Sequence, residues 1–198
     1  MAINASEFLI GVYNVYLNPT VPADGAGLEM VAGVPTGGTL IGITDGDLAI
    51  KGAPSMVEMK GVQGNGILNI YQSDEEFEAS FSLKQVQDFT LLNRVLMGAS
   101  PFTDVALTPN QSILGVGGLN EIPATKRIPW AFVTKLPFQD DDYYLYFLMF
   151  EAFASSGLDL SIGKGKESVI PVTLKPITDL TRTAGRQIAL IGKEVVTP

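Results

Sequence analysis

The spacing of apolar residues changes once inside Phe77–Gly98, FEASFSLKQVQDFTLLNRVLMG, and that change fixes two elements. Phe77, Ala79, Phe81 and Leu83 alternate with Glu76, Glu78, Ser80, Ser82 and Lys84. Period two puts each set on its own face of a pleated strand, one dry and one wet. From Phe89 the apolar residues fall at Phe89, Leu92, Val95 and Leu96, which is helical spacing. Asp88 can cap that helix, because its carboxylate accepts the free N–H groups of the first turn. Gly98 suits its C-terminal stop. The stretch therefore predicts a half-buried strand, then a helix of about ten residues that lays one apolar face on a sheet.

Short β runs bounded by turn residues fill the rest of the chain. Upstream they are Thr39–Thr44, Leu48–Lys51 and Met56–Val62, with Asp45-Gly46 read as a hairpin turn between the first two. Residues 56–72 read as a second hairpin, turning at Gln63–Gly66. Downstream, 99–127 is irregular, with short strands at Thr103–Leu107 and Ser112–Val116. Ile128–Phe138 is a strand carrying the single Trp130. Tyr143–Ala154, YYLYFLMFEAFA, has no polar alternation and predicts a strand dry on both faces. Pro171 falls inside the strand of Ser168–Pro176, so one side of that strand should lack a ladder partner there. Gln187–Ile191 is the last β candidate.

The order of these parts resembles the major tail tube proteins of long-tailed bacteriophages. The matching residues are Gly38–Ile43 and Asp47–Gly52 (GGTL…I…DLAIKG), Phe81–Val86, Asp88–Gly98 (DFTLLNRVLMG) and Ser168–Asp179 (SVIPVTLKPITD). The resemblance covers most of the chain. It implies a mainly β, sandwich- or barrel-like fold of two packed antiparallel sheets with one short α-helix. It also implies one domain over residues 1–198, with N- and C-terminal arms and a long hairpin. A subunit with unpaired strand edges invites pairing with another chain, and a ring of copies can close the sheets into a barrel. In the resembled family such rings are hexameric. They stack into a tube whose lumen conducts the genome. The partners so implied are other copies of the chain, a tail terminator, tape measure and baseplate proteins, and passing double-stranded DNA. The implied location is the virion tail, after synthesis in the host cytoplasm.

Composition excludes much catalytic chemistry. The chain has neither Cys nor His, so it lacks thiolates, the commonest general base and the commonest zinc ligand. Hydrophobic residues make up 46% against 17% charged, with a mean hydropathy of +0.25. That surplus suits either a generous core or apolar surface meant for other subunits, and the second fits a subunit of an assembly. The N-terminal MAINASEFLIGVYN lacks the basic and apolar regions of a signal peptide, and no apolar run has the length of a membrane span. The net charge of −8 is lopsided: residues 1–90 hold eleven acids and three bases, and residues 91–198 hold ten of each. A basic lumen would trap DNA through phosphate contacts, whereas an acidic one lets it slide. Glu58, Asp74, Glu75, Glu76 and Glu78 are the expected channel-facing acids, and Asp88, Phe89, Leu92, Val95 and Leu96 the structural helix on its sheet.

The remaining chemical signals have plainer readings. Gly157–Lys164 has the spacing of a phosphate-binding loop, but Gly165 stands where magnesium needs Ser or Thr, and a strand follows instead of a helix. Asp45 and Asp47 open like a calcium loop without its closing Glu, and Asp140–Asp142 is an acidic turn. The expectation is a non-enzymatic structural protein with no catalytic residue, cofactor or metal. Alternatives in the same class are the inner tube of a contractile injection or gene-transfer particle, and a tail terminator. An alternative in another class is a calcium-dependent carbohydrate-binding β-sandwich using Asp45 or Asp140–Asp142.

Overall fold

A strand that is apolar at nearly every position needs cover on both sides, and β10 (Tyr143–Ala154) receives it. The computed structural model describes residues 13–41, 44–60, 67–84, 89–96, 99–104, 111–116, 124–135, 143–155 and 169–195. Phe147, Met149, Ala152 and Ala154 join one core, while Tyr146, Leu148 and Phe150 join a second on the opposite face. The parity of the strand sorts them, and both sets are buried.

The strands, in chain order, are β1 (Tyr13–Leu17), β2 (Met30–Val31), β3 (Val34–Pro35), β4 (Thr39–Leu40), β5 (Thr44–Lys60) and β6 (Ile67–Leu83). After helix α1 (Phe89–Val95) come β7 (Ala99–Asp104), β8 (Gln111–Val116), β9 (Ile128–Lys135), β10, β11 (Ile170–Pro176) and β12 (Ala189–Val195). One antiparallel sheet runs β4-β1-β9-β10-β11-β6-β5. It branches at β10: one edge of that strand pairs β9, and the other pairs β12 over Tyr143–Met149 and then β11 over Ala152–Ala154. The hairpins β2–β3 and β7–β8 stand apart from it. The fold is mainly β and antiparallel, as the sequence predicts, with one short α-helix among the described residues. Its two packed layers are halves of one continuous sheet.

Aromatic side chains hold the layers together. Phe81 of β6 meets Trp130 and Phe132 of β9 at centroid separations of 6.0 and 5.8 Å, and Phe77 stacks on Phe147 of β10 at 5.6 Å. Leu92 and Val95 of helix α1, with Leu96 just after it, close the same core, all three buried. Phe89 is the first residue of α1, while Asp88 and Gly98 lie outside the described residues. The second core is roofed by the segment from Val21 to Met30. There the β2–β3 turn uses Ala32 (φ 50°) and Gly33 (φ 77°), the two left-handed residues a tight hairpin requires. Gly33 lies so close to the Tyr144 ring that a Cβ would stand 2.4 Å from it, so any other residue would have to displace that ring and also hold a strained backbone.

The structure corrects the reading of the upstream strands. Leu48–Lys51 and Met56–Lys60 are parts of the single strand β5, which pairs β6 from Thr44↔Leu83 to Lys60↔Ile67. Asp45-Gly46 does not reverse the chain. Gly46 (φ 72°) sits in a bulge, where β5 advances from Asp45 to Ala49 while β6 moves only from Ser82 to Ser80. Gly52–Ser55 also continues the strand. A proline is tolerated because β5 lies at the edge of the sheet, where no second ladder asks for its N–H. Likewise 99–104 and 111–116 form a regular hairpin paired from Ala99↔Val116 to Asp104↔Gln111. Pro171 meets the expectation for its strand. It pairs Ser82 of β6, while the ladder between β10 and β11 reaches only Leu174.

Leu92 is 3% exposed, with aromatic and aliphatic side chains around it. Leu92→Asp buries a carboxylate without a partner. Expression of this variant should give insoluble protein, or a melting temperature far below that of the parent; normal yield and melting temperature would contradict the packing.

Candidate assembly surface and a loop clasp

The β5–β6 hairpin is longer than the sheet that carries it. β11 pairs β6 only from Ala79 to Leu83. Residues 51–60 of β5 and 67–78 of β6 therefore form a two-stranded arm, with no third strand on either edge among the described residues. At the rise of an antiparallel strand the arm is about 30 Å long. Its inner end is anchored where the Phe77 ring covers Gly52, directly opposite in register; a Cβ on Gly52 would stand 2.6 Å from that ring.

All five acids singled out in the sequence lie on this arm, Glu78 at its root. Glu58 is opposite Ile70, Asp74 opposite Ser55, Glu75 opposite Pro54 and Glu76 opposite Ala53. Glu76 is exposed. Glu78 is opposite Lys51 and pairs with its ammonium at 3.4 Å, at a surface where such a bridge contributes little. The free edge of β5 thus runs beside an acidic ribbon. At the opposite end of the sheet β4 is two residues long, with Leu40 half exposed, and β12 presents Ile191 at 68% exposure.

A second arrangement joins loops far apart in sequence. Asp24 accepts hydrogen bonds from the backbone N–H and hydroxyl of Thr183. Asp179 accepts from Thr181 N and Oγ1 at 3.0 and 2.6 Å and from Arg182 Nε at 3.1 Å. Arg182 also donates through Nη2 to Pro22 O at 2.7 Å, and its guanidinium lies 3.7 Å above the Phe150 ring. These bonds hold both carboxyls below their ordinary range, chiefly through Thr183 for Asp24 and Thr181 for Asp179. The clasp fastens the 19–27 loop to the 177–188 loop over the second core. The sequence reading missed it. The Asp-x-Thr of residues 179–181 was a visible turn signal, but the partners at Pro22 and Asp24 are some 159 residues away.

Two other ionisable groups serve the fold. Lys126, in a 3-10 turn at Ala124–Lys126, donates to the Asn93 carbonyl, to Asn93 Oδ1 at 2.7 Å and to Leu96 O at 3.4 Å. It thereby satisfies carbonyls at the C-terminal end of α1 with a cation. Burial and then Arg94 lower its pKa. Glu194 of β12 has Oε2 buried with no hydrogen-bond partner, and desolvation raises its pKa.

Gly157–Lys164 and Asp140–Asp142 lie outside the described residues. Asp47 is exposed beside the Gly46 bulge, and no group of three or more metal-ligating side chains occurs among the described residues. No helix among those residues is long and apolar enough to cross a membrane.

No protein-family model matches the chain. A search of curated proteins likewise finds no match. Among solved structures the chain is similar to the SPP1 tail tube determined by solid-state NMR and cryo-EM. The TM-score is 0.45 at 11% identity, over 94% of this chain and 78% of that one. At that identity no residue here inherits a role from that protein.

Glu194 supplies a pH test. Its folded-state pKa is raised, so the charged form is disfavoured in the fold and the cost is present above that pKa. Glu194→Gln should raise the melting temperature at neutral pH, and the gain should vanish as pH falls below the ordinary glutamate range. Equal stability at neutral pH, or a gain that persists in acid, would contradict this environment for the carboxylate.

Proposed function

We propose that this chain is a structural subunit of a tubular assembly, the tail tube of a tailed bacteriophage, and not an enzyme. The observation that carries the reading is the arm. A two-stranded ribbon is marginal in water by itself, because half its backbone groups face solvent and it has no layer to pack against. Strand edges of this length are normally blunted or covered. Copies of the chain complete one another if the arm of each lies against the sheet of the next. A head-to-tail contact that closes by rotation then gives a ring, and rings stack into a tube. The order of sequence motifs supports the same class.

In this reading the rings are hexameric and stand between tail terminator and baseplate, around a tape measure protein and later around passing DNA. Glu58, Asp74, Glu75, Glu76 and Glu78 give the channel an acidic wall that repels phosphate and keeps the polyanion moving. Helix α1 covers the core away from the channel and has a structural role only.

Negative-stain microscopy of concentrated protein tests the class. Rings or tubes with a central hole are the expected result. A globular monomer at every concentration, together with absence of the chain from tail tubes of its native particle, would overturn the reading.

A further inference from the structure

The clasp leaves a cavity of about 300 Å³ between the 24–27 loop and β12. Its floor is Phe150, Leu190 and Ile191, and its polar groups are Arg182, Arg186 and the Tyr146 hydroxyl. Arg182 is nine-tenths buried, with Nε committed to Asp179 and Nη2 to Pro22 O. Its remaining nitrogen, Nη1, has no acceptor among the described residues. The Tyr146 oxygen, also buried, accepts from Leu28 N at 3.0 Å and keeps its own proton to donate. Arg186 is exposed at the rim; its backbone N–H donates to Thr183 O at 3.0 Å, while its guanidinium makes no hydrogen bond or ion pair among the described residues.

We propose that this cavity binds a carboxylate monoanion carried on a short apolar stem. A guanidinium with one free edge, held over an aromatic ring, is preorganised for a planar carboxylate. The Tyr146 hydroxyl supplies a second donor and Arg186 an exposed cation at the rim. The apolar floor takes the stem. Asp24 also lines the cavity, so a phosphate dianion meets a fixed negative charge that a monoanion tolerates better. The carboxylate comes either from a small free acid or from an acidic side chain of a second copy.

Amide NMR of dispersed protein tests the site, and it does so whether or not rings form, so its failure leaves the assembly reading untouched. Propionate should shift the amides of Gly27, Leu28 and Leu190 saturably. Arg186→Gln, a change at an exposed side chain, should weaken this roughly tenfold, or about 1.4 kcal/mol. Inorganic phosphate at equal ionic strength should act more weakly. Absence of a saturable shift, an unchanged response in Arg186→Gln, or phosphate binding as tightly as propionate would overturn the proposal. Dilution without added acid separates the sources. Concentration-dependent shifts of the same amides, erased by Arg186→Gln, assign the carboxylate to a second copy; a flat response assigns it to a free acid.

Discussion

Strand β6 rests on β9 and β10 through five aromatic rings, and the remaining architecture is arranged about that contact. Phe77, Phe81, Trp130, Phe132 and Phe147 lie within 5.6–6.1 Å of one another in successive pairs, from stacked to edge-on. Such pairs contribute about 0.5–1.5 kcal/mol each beyond the area they bury. They fold one continuous sheet over on itself, and they fix where β6 leaves the core. From Ala79 to Leu83 that strand is shared with β11; before Phe77 it pairs, among the described residues, with β5 alone. The arm is therefore a consequence of where the aromatic contact ends.

The second core follows from the first. Because β10 faces the rings with Phe147 and Met149, it turns Tyr146, Leu148 and Phe150 outward. Those side chains would be wet without a cover. The 19–30 segment supplies one, and the clasp of Asp24, Asp179 and Arg182 fastens it. Tyr146 joins the parts: its ring lies over Gly192 of β12, where a Cβ would stand 2.2 Å away, and its hydroxyl takes the Leu28 N–H. Glycine at 192 is required by the approach of that ring.

Much of this was legible in the sequence for one reason: burial on one face or on both leaves a periodic trace. The alternation at Phe77–Leu83, the helical spacing of Leu92, Val95 and Leu96, and the unbroken apolar run of β10 each correspond to an observed environment. What was not legible depended on partners distant in sequence. Asp45-Gly46 has the composition of a tight turn, yet pairing with β6 carries the strand straight through it as a bulge. Gly52–Ser55 separates the two runs Leu48–Lys51 and Met56–Val62 in the sequence, yet an edge strand accepts Pro54 as readily as a loop does. Arg182 carries no motif at all. Its role comes from a ring and a carbonyl that the topology brings to it.

A ribbon lacking a third strand should open easily until another molecule covers it, whereas a strand inside the core should not. Hydrogen–deuterium exchange on dispersed and on assembled protein measures this directly. The account predicts that amides of residues 51–60 and 67–78 exchange fast in dispersed protein and become protected in the assembly, while those of 130–133 and 146–149 are slow in both. An arm already as slow as the core in dispersed protein, or one that gains no protection on assembly, would contradict it.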